Sequence, residues 1–279
     1  MWRALGGLYG WLLEIEMPNT GVVFLMYHEL EMAGRSLRKT EAGYVRYMVP
    51  VDRFRAQMEL LAKQDRKGVS VGDAVRSLGN NDTVAITFDD GAETDLLFAA
   101  PILREFGFGA TFYITTGWSG RTSFLTYAQI QELSSQGFEI GSHSITHPYL
   151  SDLDDAELRR EMTDSKRQLE DIIGKPVEHF SCPGGRFDHR AEEIARDAGY
   201  RTVCTSEIHL NTPATNLFGL GRIAVMRHTS LHEFEDLLNG SGMWRRRTGA
   251  RVRSAVKKAL GNSVYDRVRK SLLRTPPSS

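Results

Sequence analysis

Short apolar runs, rich in β-branched and aromatic residues, recur along this chain and alternate with longer stretches in which apolar residues return every three or four positions. The runs lie at residues 21–27, 84–88, 110–114, 138–142, 180–182, 200–205 and 223–226. Runs of this kind, bounded by glycine and polar residues, read as buried strands. They are apolar on both faces, as strands of a parallel sheet are when helices cover each side. The intervening periodicity predicts helices over 51–61, 71–78, 94–106, 127–136, 151–173, 190–198 and 231–238. In the first of these Phe54, Met58 and Leu61 share a face. Gly107, Gly137 and Gly174 follow three of the predicted ends, where a glycine closes a helix most easily. Residues 31–50 mix polar and apolar types around Gly34 and Gly43 and read as a loop. Strand and helix alternate about seven times with no internal repeat, which implies right-handed βαβ units around a parallel sheet. Seven such units over residues 21–240 suit a closed or nearly closed barrel better than an open sheet.

Composition adds little until charge is followed along the chain. With 41% hydrophobic and 25% charged residues, the 279-residue sequence is ordinary for a soluble protein of one large or two small domains. Net charge is zero, yet residues 245–274 hold eleven Lys and Arg against one acid, Asp266, so the remainder carries about −10. That asymmetry points to a catalytic body with a basic tail and away from a nucleic-acid-binding domain. In the tail Val252, Ala255, Val256, Ala259 and Leu260 fall at helical spacing, and Val264, Val268 and Leu272 continue it. Such a helix packs on the acidic body or makes peripheral contact with an anionic membrane, and the opposite charge of the body favours packing. Two cysteines, Cys182 and Cys204, form no disulfide framework and fit a reducing, cytoplasmic setting. No apolar run reaches the ~18 residues of a membrane helix. Residues 1–13 are mildly signal-like, but Glu14 and Glu16 follow without a small-residue cleavage site, so a short helix is expected there. The expected division is a helical segment at 1–17, a catalytic body at 18–244 and a basic helical tail at 245–279.

In barrels of parallel strands, reactive groups sit at the C-terminal strand ends. That rule selects His28, the pair Asp89 and Asp90, His143, and the loop at 181–186. Two adjacent acids ending a buried strand need a reason, because unpaired buried charge is costly. A metal that holds one and leaves the other as a base is one reason; capping of the next helix is another. His143 and His147 lie four apart, so that on a helical turn they face the same way, and neutral imidazoles suit zinc. With Asp90 they make three protein ligands and leave a fourth position for water, the layout of a catalytic site.

The stretches Thr87-Phe-Asp-Asp-Gly91 and His143-Ser-Ile-Thr-His147 resemble the first two motifs of the polysaccharide deacetylases, carbohydrate esterase family 4. The resemblance runs over about residues 21–240. It implies a distorted, partly open TIM-like (β/α)7 barrel that hydrolyses N-acetyl groups of an amino-sugar polymer, oligosaccharide or precursor. On the family pattern Asp90, His143 and His147 hold a divalent metal, zinc before nickel or cobalt, and Asp89 is the base. The third motif corresponds to residues 180–186, where Ser181 stands in place of the usual arginine. Orientation of Asp89 then falls to Arg222 or Arg186, unless each of these merely forms a surface salt bridge. Gly184 takes the position whose backbone N–H holds the oxyanion in the family. The first strand ends in Tyr27-His28, which resembles the subgroup of poly-N-acetylglucosamine deacetylases of exopolysaccharide systems and implies His28 as general acid. Trp118, Phe124 and Tyr149 follow rim strands and either stack on sugar rings or close the core. His179, His189 and His209 read as structural or exposed. Two alternatives remain at this level. One is a metal-dependent amidohydrolase acting on a small cyclic amide; the other is a non-catalytic polysaccharide-binding homologue, which the missing motif arginine supports.

Overall fold

A computed structural model of the protein describes residues 21–32, 34, 40–185 and 187–241. The helical segment expected at 1–17, the basic tail at 245–279 and Arg186 lie outside the described residues. The strands, in chain order, are β1 (Val23–Tyr27), β2 (Glu29–Glu31), β3 (Met48–Pro50), β4 (Lys67–Val69), β5 (Thr83–Phe88), β6 (Thr111–Ile114), β7 (Glu139–Ser142), β8 (His179–Ser181), β9 (Thr202–Cys204) and β10 (Ile223–Ala224). Eight of them form one parallel sheet: seven lie in the order β10-β1-β5-β6-β7-β8-β9, and β4 pairs with β5 off that path. Along one edge β5 meets the whole of β1; on the other β4 pairs with its first half and β6 with its end. The path is curled and partly open. Its outer strands, β9 and β10, are joined by residues 205–222, within which Leu220 bridges to Cys204 just before the chain enters β10.

Alternation along the strands divides two apolar clusters. Val23, Leu25, Tyr27, Val84, Ile86, Phe88, Phe112, Ile140, Phe180, Val203 and Ile223 pack outwards under the helices. Phe24, Ala85, Tyr113, Cys204 and Leu220 fill the inside of the curl. Because successive side chains point to opposite faces, the inward row on β5 continues from Ala85 through Thr87 to Asp89. At the start of β7, the inward Glu139 accepts hydrogen bonds from Gly72 and Thr111 and pairs with His179 at 3.2 Å. Burial works against that carboxylate's charge, but these partners hold it below the usual glutamate range.

The helices are α1 (Ala42–Val45), α2 (Val51–Lys63), α3 (Val71–Arg76), α4 (Ala100–Glu105), α5 (Tyr127–Ser135), α6 (Asp155–Ile173), α7 (His189–Asp197) and α8 (Leu231–Leu238). Helix α6 begins four residues later than its periodicity predicts, because Asp154 and Glu157 form a capping box behind a 3₁₀ turn at Leu150–Asp152. Residues 95–99 form a π turn leading into α4. Pro101 has no N–H with which to close an α turn onto Leu97, so the backbone widens there. The region read as a loop at 31–50 contains β2's last residue, α1 and β3, and β2 and β3 pair in parallel. No helix of the described residues is long and apolar enough to cross a membrane.

Candidate active site

The rim groups are delivered by strand ends. His28 follows β1, Asp89 and Asp90 follow β5, His143 follows β7, and Ser181 ends β8 before the turn Pro183–Gly185. Neither aspartate caps a helix. Asp89 is 2% exposed and is gripped by Arg222, itself 1% exposed, through Nη1–Oδ1 at 2.7 Å and Nη2–Oδ2 at 2.8 Å. The other three donors of the guanidinium go to Thr205 O, Thr87 Oγ1 and Ser181 Oγ, so all five are used. Ser181 occupies little volume, and the arginine missing from its position is supplied from the start of β10. By strand register Arg222 lies level with Phe24 and Ala85, and its side chain climbs the inside of the barrel to Asp89. Burial alone would raise the Asp89 carboxyl, but Arg222's charge and hydrogen bonds, with His143 and His28, hold it well below the usual carboxylate range. Burial opposes the Arg222 charge too, yet Asp89 holds its pKa above the ordinary value.

Asp90 behaves differently. Its backbone is left-handed, with φ 81°, and its buried Oδ1 has no hydrogen-bond partner among the described residues. That oxygen lies 3.7 Å from His143 Nε2 and 3.5 Å from His147 Nε2. The three ligand atoms all fall within 4.8 Å of one another. These separations are too long for hydrogen bonds but close to the roughly 3.4 Å between donors on a tetrahedral zinc with ~2.1 Å bonds. The orphaned oxygen and the neutral-ligand chemistry of two imidazoles therefore fit a divalent ion. His143 is buried, and its Nδ1 lies 2.8 Å from Ser181 O, a bond that leaves Nε2 as the lone pair facing Asp90. Burial pushes its pKa down to about 4, against the pull of Asp89 and Asp90, so the ring is neutral at pH 7. His147 is 29% exposed, and its ring stacks on Trp118 at 5.0 Å, which in turn packs on Phe124 at 5.1 Å.

The two histidines do not share a helical turn, as their spacing predicts. Residues 143–147 form an irregular loop in which Ser144 (φ 65°) and His147 (φ 61°) are left-handed. Ser144 N donates to Ser142 Oγ, and His147 N donates to Ser144 Oγ. These local bonds reward a conformation that residue type alone disfavours. Gly117 N donates to Ile145 O at 2.9 Å, and a Cβ at Gly117 would sit 2.5 Å from that oxygen, so only glycine permits the approach. Glu161, unmarked by any motif, reaches from α6 into the same loop.

His28 is half-buried against Tyr47, with ring centroids 4.9 Å apart, and its Nδ1 has no partner among the described residues. It lies near enough to Asp89 for its charge to depress that carboxyl. Gly184 is exposed and left-handed, and the Tyr149 ring lies 2.5 Å from where a Cβ would project. His179 is buried with Glu139 and Thr202, while His189 pairs on the surface with Glu193.

A family model described as polysaccharide deacetylase matches residues 77–203, a span that includes Asp89, Asp90, His143, His147 and Gly184 but neither His28 nor Arg222. The chain is 29% identical over 206 residues to YxkH of Bacillus subtilis (strain 168), covering 72% of this chain and 70% of that protein. It is 32% identical over 128 residues to the peptidoglycan-N-acetylglucosamine deacetylase of Bacillus cereus, covering 46% of this chain and 58% of that enzyme. Among solved structures, the Streptococcus pyogenes deacetylase PplD in complex with acetate superposes with a TM-score of 0.71 at 25% identity, over 79% of this chain and 99% of that one.

Proposed function

Since this chain belongs to the polysaccharide deacetylase family, we propose that it is a metal-dependent hydrolase that removes N-acetyl groups from an amino-sugar polysaccharide or its precursor. The observation that carries the reading is the convergence of Asp90, His143 and His147 beside an aspartate locked by a buried arginine. Asp90, His143 and His147 would hold the ion, for which zinc is the assignment that two imidazoles and one carboxylate favour. When bound there, it supplies Lewis acidity, lowering the pKa of water towards ~7 and polarising an amide carbonyl.

The chain's own groups do the rest. Asp89 is ionised across the working range and takes a proton from the attacking water as the C–O bond forms. Its pKa is low for a base, so it depends on the acidified water and on Arg222, which fixes both oxygens and spares Asp89 any conformational search. The Gly184 N–H, on an exposed left-handed turn, donates to the oxyanion. His28 gives a proton to the departing nitrogen as the C–N bond breaks, leaving acetate and a free amino sugar. Supply of the acid from the first strand, together with the Trp118 and Phe124 platform beside His147, supports a sugar polymer of exopolysaccharide type as substrate. The non-catalytic reading rested on the absent arginine of the third motif; Arg222 on Asp89 removes that ground.

Acetate release from N-acetylglucosamine oligomers, measured on chelated protein and again after zinc is added, tests the reading. Release should require metal, and Asp89→Asn should lower it by at least about 10². A zinc-loaded wild type that releases no acetate from any N-acetylated amino-sugar oligomer would overturn it.

A further inference from the structure

Helix α6 packs inward through Leu158, Met162, Ser165 and Leu169, and Glu161 shares that buried stripe at 5% exposure. A carboxylate among these residues loses its hydration and must be repaid in hydrogen bonds. Among the described residues its oxygens receive three, all from two residues of one loop: Ile145 N at 2.7 Å and Thr146 N at 3.0 Å reach Oε2, and Thr146 Oγ1 at 2.7 Å reaches Oε1. Those two residues lie in the middle of the segment whose ends are His143 and His147. The loop is left-handed at Ser144 and at His147, so its own backbone does not favour the shape that brings the imidazoles together. Among the described residues, His147 N is tied only to Ser144 Oγ, and its ring is stacked rather than hydrogen-bonded to a carbonyl. The helix beneath is itself fixed at this level. Ser165 Oγ contacts Ser142 Oγ at 2.8 Å, and Tyr200 OH donates to Met162 O.

We propose that Glu161 is a positioning residue for the metal site. It takes the N–H groups between the two histidine ligands and clamps their loop to α6, so that His147 is held at the distance from Asp90 that a shared ion requires. The proposal rests on the reading of Asp90, His143 and His147 as metal ligands. A residue serving stability alone has no reason to spend every bond of its carboxylate on the ligand loop, and at this buried position an apolar side chain would stabilise the helix without the cost of desolvation.

The test is metal binding, measured by calorimetry with zinc and by the visible absorption of the cobalt-loaded full chain, beside the melting temperature of the chelated protein. Glu161→Ala should weaken zinc binding by about 10–100-fold and alter the cobalt spectrum, while the metal-free protein stays folded at the assay temperature. Glu161→Gln keeps an oxygen for the two N–H groups and an amide that can donate to Thr146, and should remain within about threefold of the wild type. A folded Glu161→Ala protein with wild-type zinc affinity and cobalt spectrum overturns the proposal. If that variant does not fold, Thr146→Val, which deletes one of the three bonds from the exposed side, decides: weaker binding by about 3–10-fold supports the clamp, and unchanged binding refutes it. A wild type that binds neither metal sinks the ligand assignment beneath it, whereas a binding wild type with an indifferent Glu161→Ala sinks this inference alone.

Discussion

Replacing Arg222 by methionine removes the only arginine or lysine, among the described residues, in contact with a carboxylate that is 2% exposed. Breaking a buried pair by deleting one partner costs about 3–5 kcal/mol, because the remaining charge is left without solvent or counter-charge. Thr205 O, Thr87 Oγ1 and Ser181 Oγ each lose a donor as well, though the Thr87 and Ser181 hydroxyls keep Leu25 O and Asp89 as partners. At roughly 2–4 °C per kcal/mol for a domain of this size, the melting temperature of the metal-free variant should fall by roughly 6–20 °C at neutral pH. Changing both members, Arg222→Met with Asp89→Leu, should recover most of that loss, since apolar side chains of similar volume need no counter-charge.

The pH dependence separates this cause from a simple packing defect. In the native protein the Asp89 carboxyl sits below its unfolded value of about 3.9, so the stability it contributes is present above that pH and is lost as the pH falls through the lower, folded value. Without Arg222, burial becomes the dominant influence and pushes the folded value above the unfolded one; that variant then loses stability as the pH rises past about 3.9. The gap between the two proteins must therefore be widest near neutrality, narrow towards about pH 4 as the variant's penalty disappears, and close only as the pH falls further, through the lower folded value of Asp89 in the wild type. Thermal melts followed by circular dichroism on chelated samples measure it directly. A gap that is constant with pH, or smaller than about 1 kcal/mol at neutral pH, would refute the reasoning.

Zinc at about a hundred times its dissociation constant should raise the stability of the chelated wild type by about 2.7 kcal/mol in a thermal-shift assay, and Asp90→Asn should abolish most of that gain; equal stabilisation of the variant would remove Asp90 from the ligand set. Trp118→Leu takes away the surface on which the His147 ring rests, and a lost stack of about 0.5–1.5 kcal/mol should weaken zinc binding by about 2–13-fold in calorimetry, so an unchanged affinity would show that the ring is held by other means. Burial pushes the Cys182 thiol up and that of Cys204 up to about 11, so a thiol reagent at mildly alkaline pH should label neither in the native protein and both after denaturation. Fast labelling of one in the native state would contradict the packing at the ends of β8 and β9.

Much of the barrel is legible in the sequence because its strands are apolar on both faces and bounded by polar turns. The runs at 84–88 and 110–114 differ from β5 and β6 only at one terminus. What escaped were β2, β3 and β4, three residues each, too short to carry a period of their own. They exist because a partner strand is already in place: β4 lies along the first half of β5, and β3 along β2. The candidate ligands were legible for a related reason, since strand ends mark the rim whatever the loops do. Their route to one another was not. A spacing of four suggests a helical turn, and nothing in the residue types Ser144 and His147 announces left-handed backbone; that conformation is rewarded by Ser142, Gly117 and Glu161, which lie elsewhere in the fold.

The displaced arginine follows from volume inside the barrel. Ala85, Gly141 and Ser181 are the inward residues of three neighbouring parts of the sheet, and all are small. A Cβ on Gly141 would lie 2.4 Å from the Tyr113 ring, so that ring fills the space beside β7, and the Arg222 guanidinium passes 5.6 Å from its centroid on the way to Asp89. An arginine at position 181 would need the space that Arg222 and Tyr113 already occupy. Conversely, Ser181 leaves a hydroxyl that both Arg222 and Asp89 can use. What a buried carboxylate at the end of β5 demands is a guanidinium against both of its oxygens, and the fold can deliver that group from any strand whose inward neighbours leave room for the side chain to pass. Linear spacing cannot reveal which strand that is, because the complementarity lies between β10, β6 and β8, whose residues are far apart in the chain and meet only through the register of the sheet.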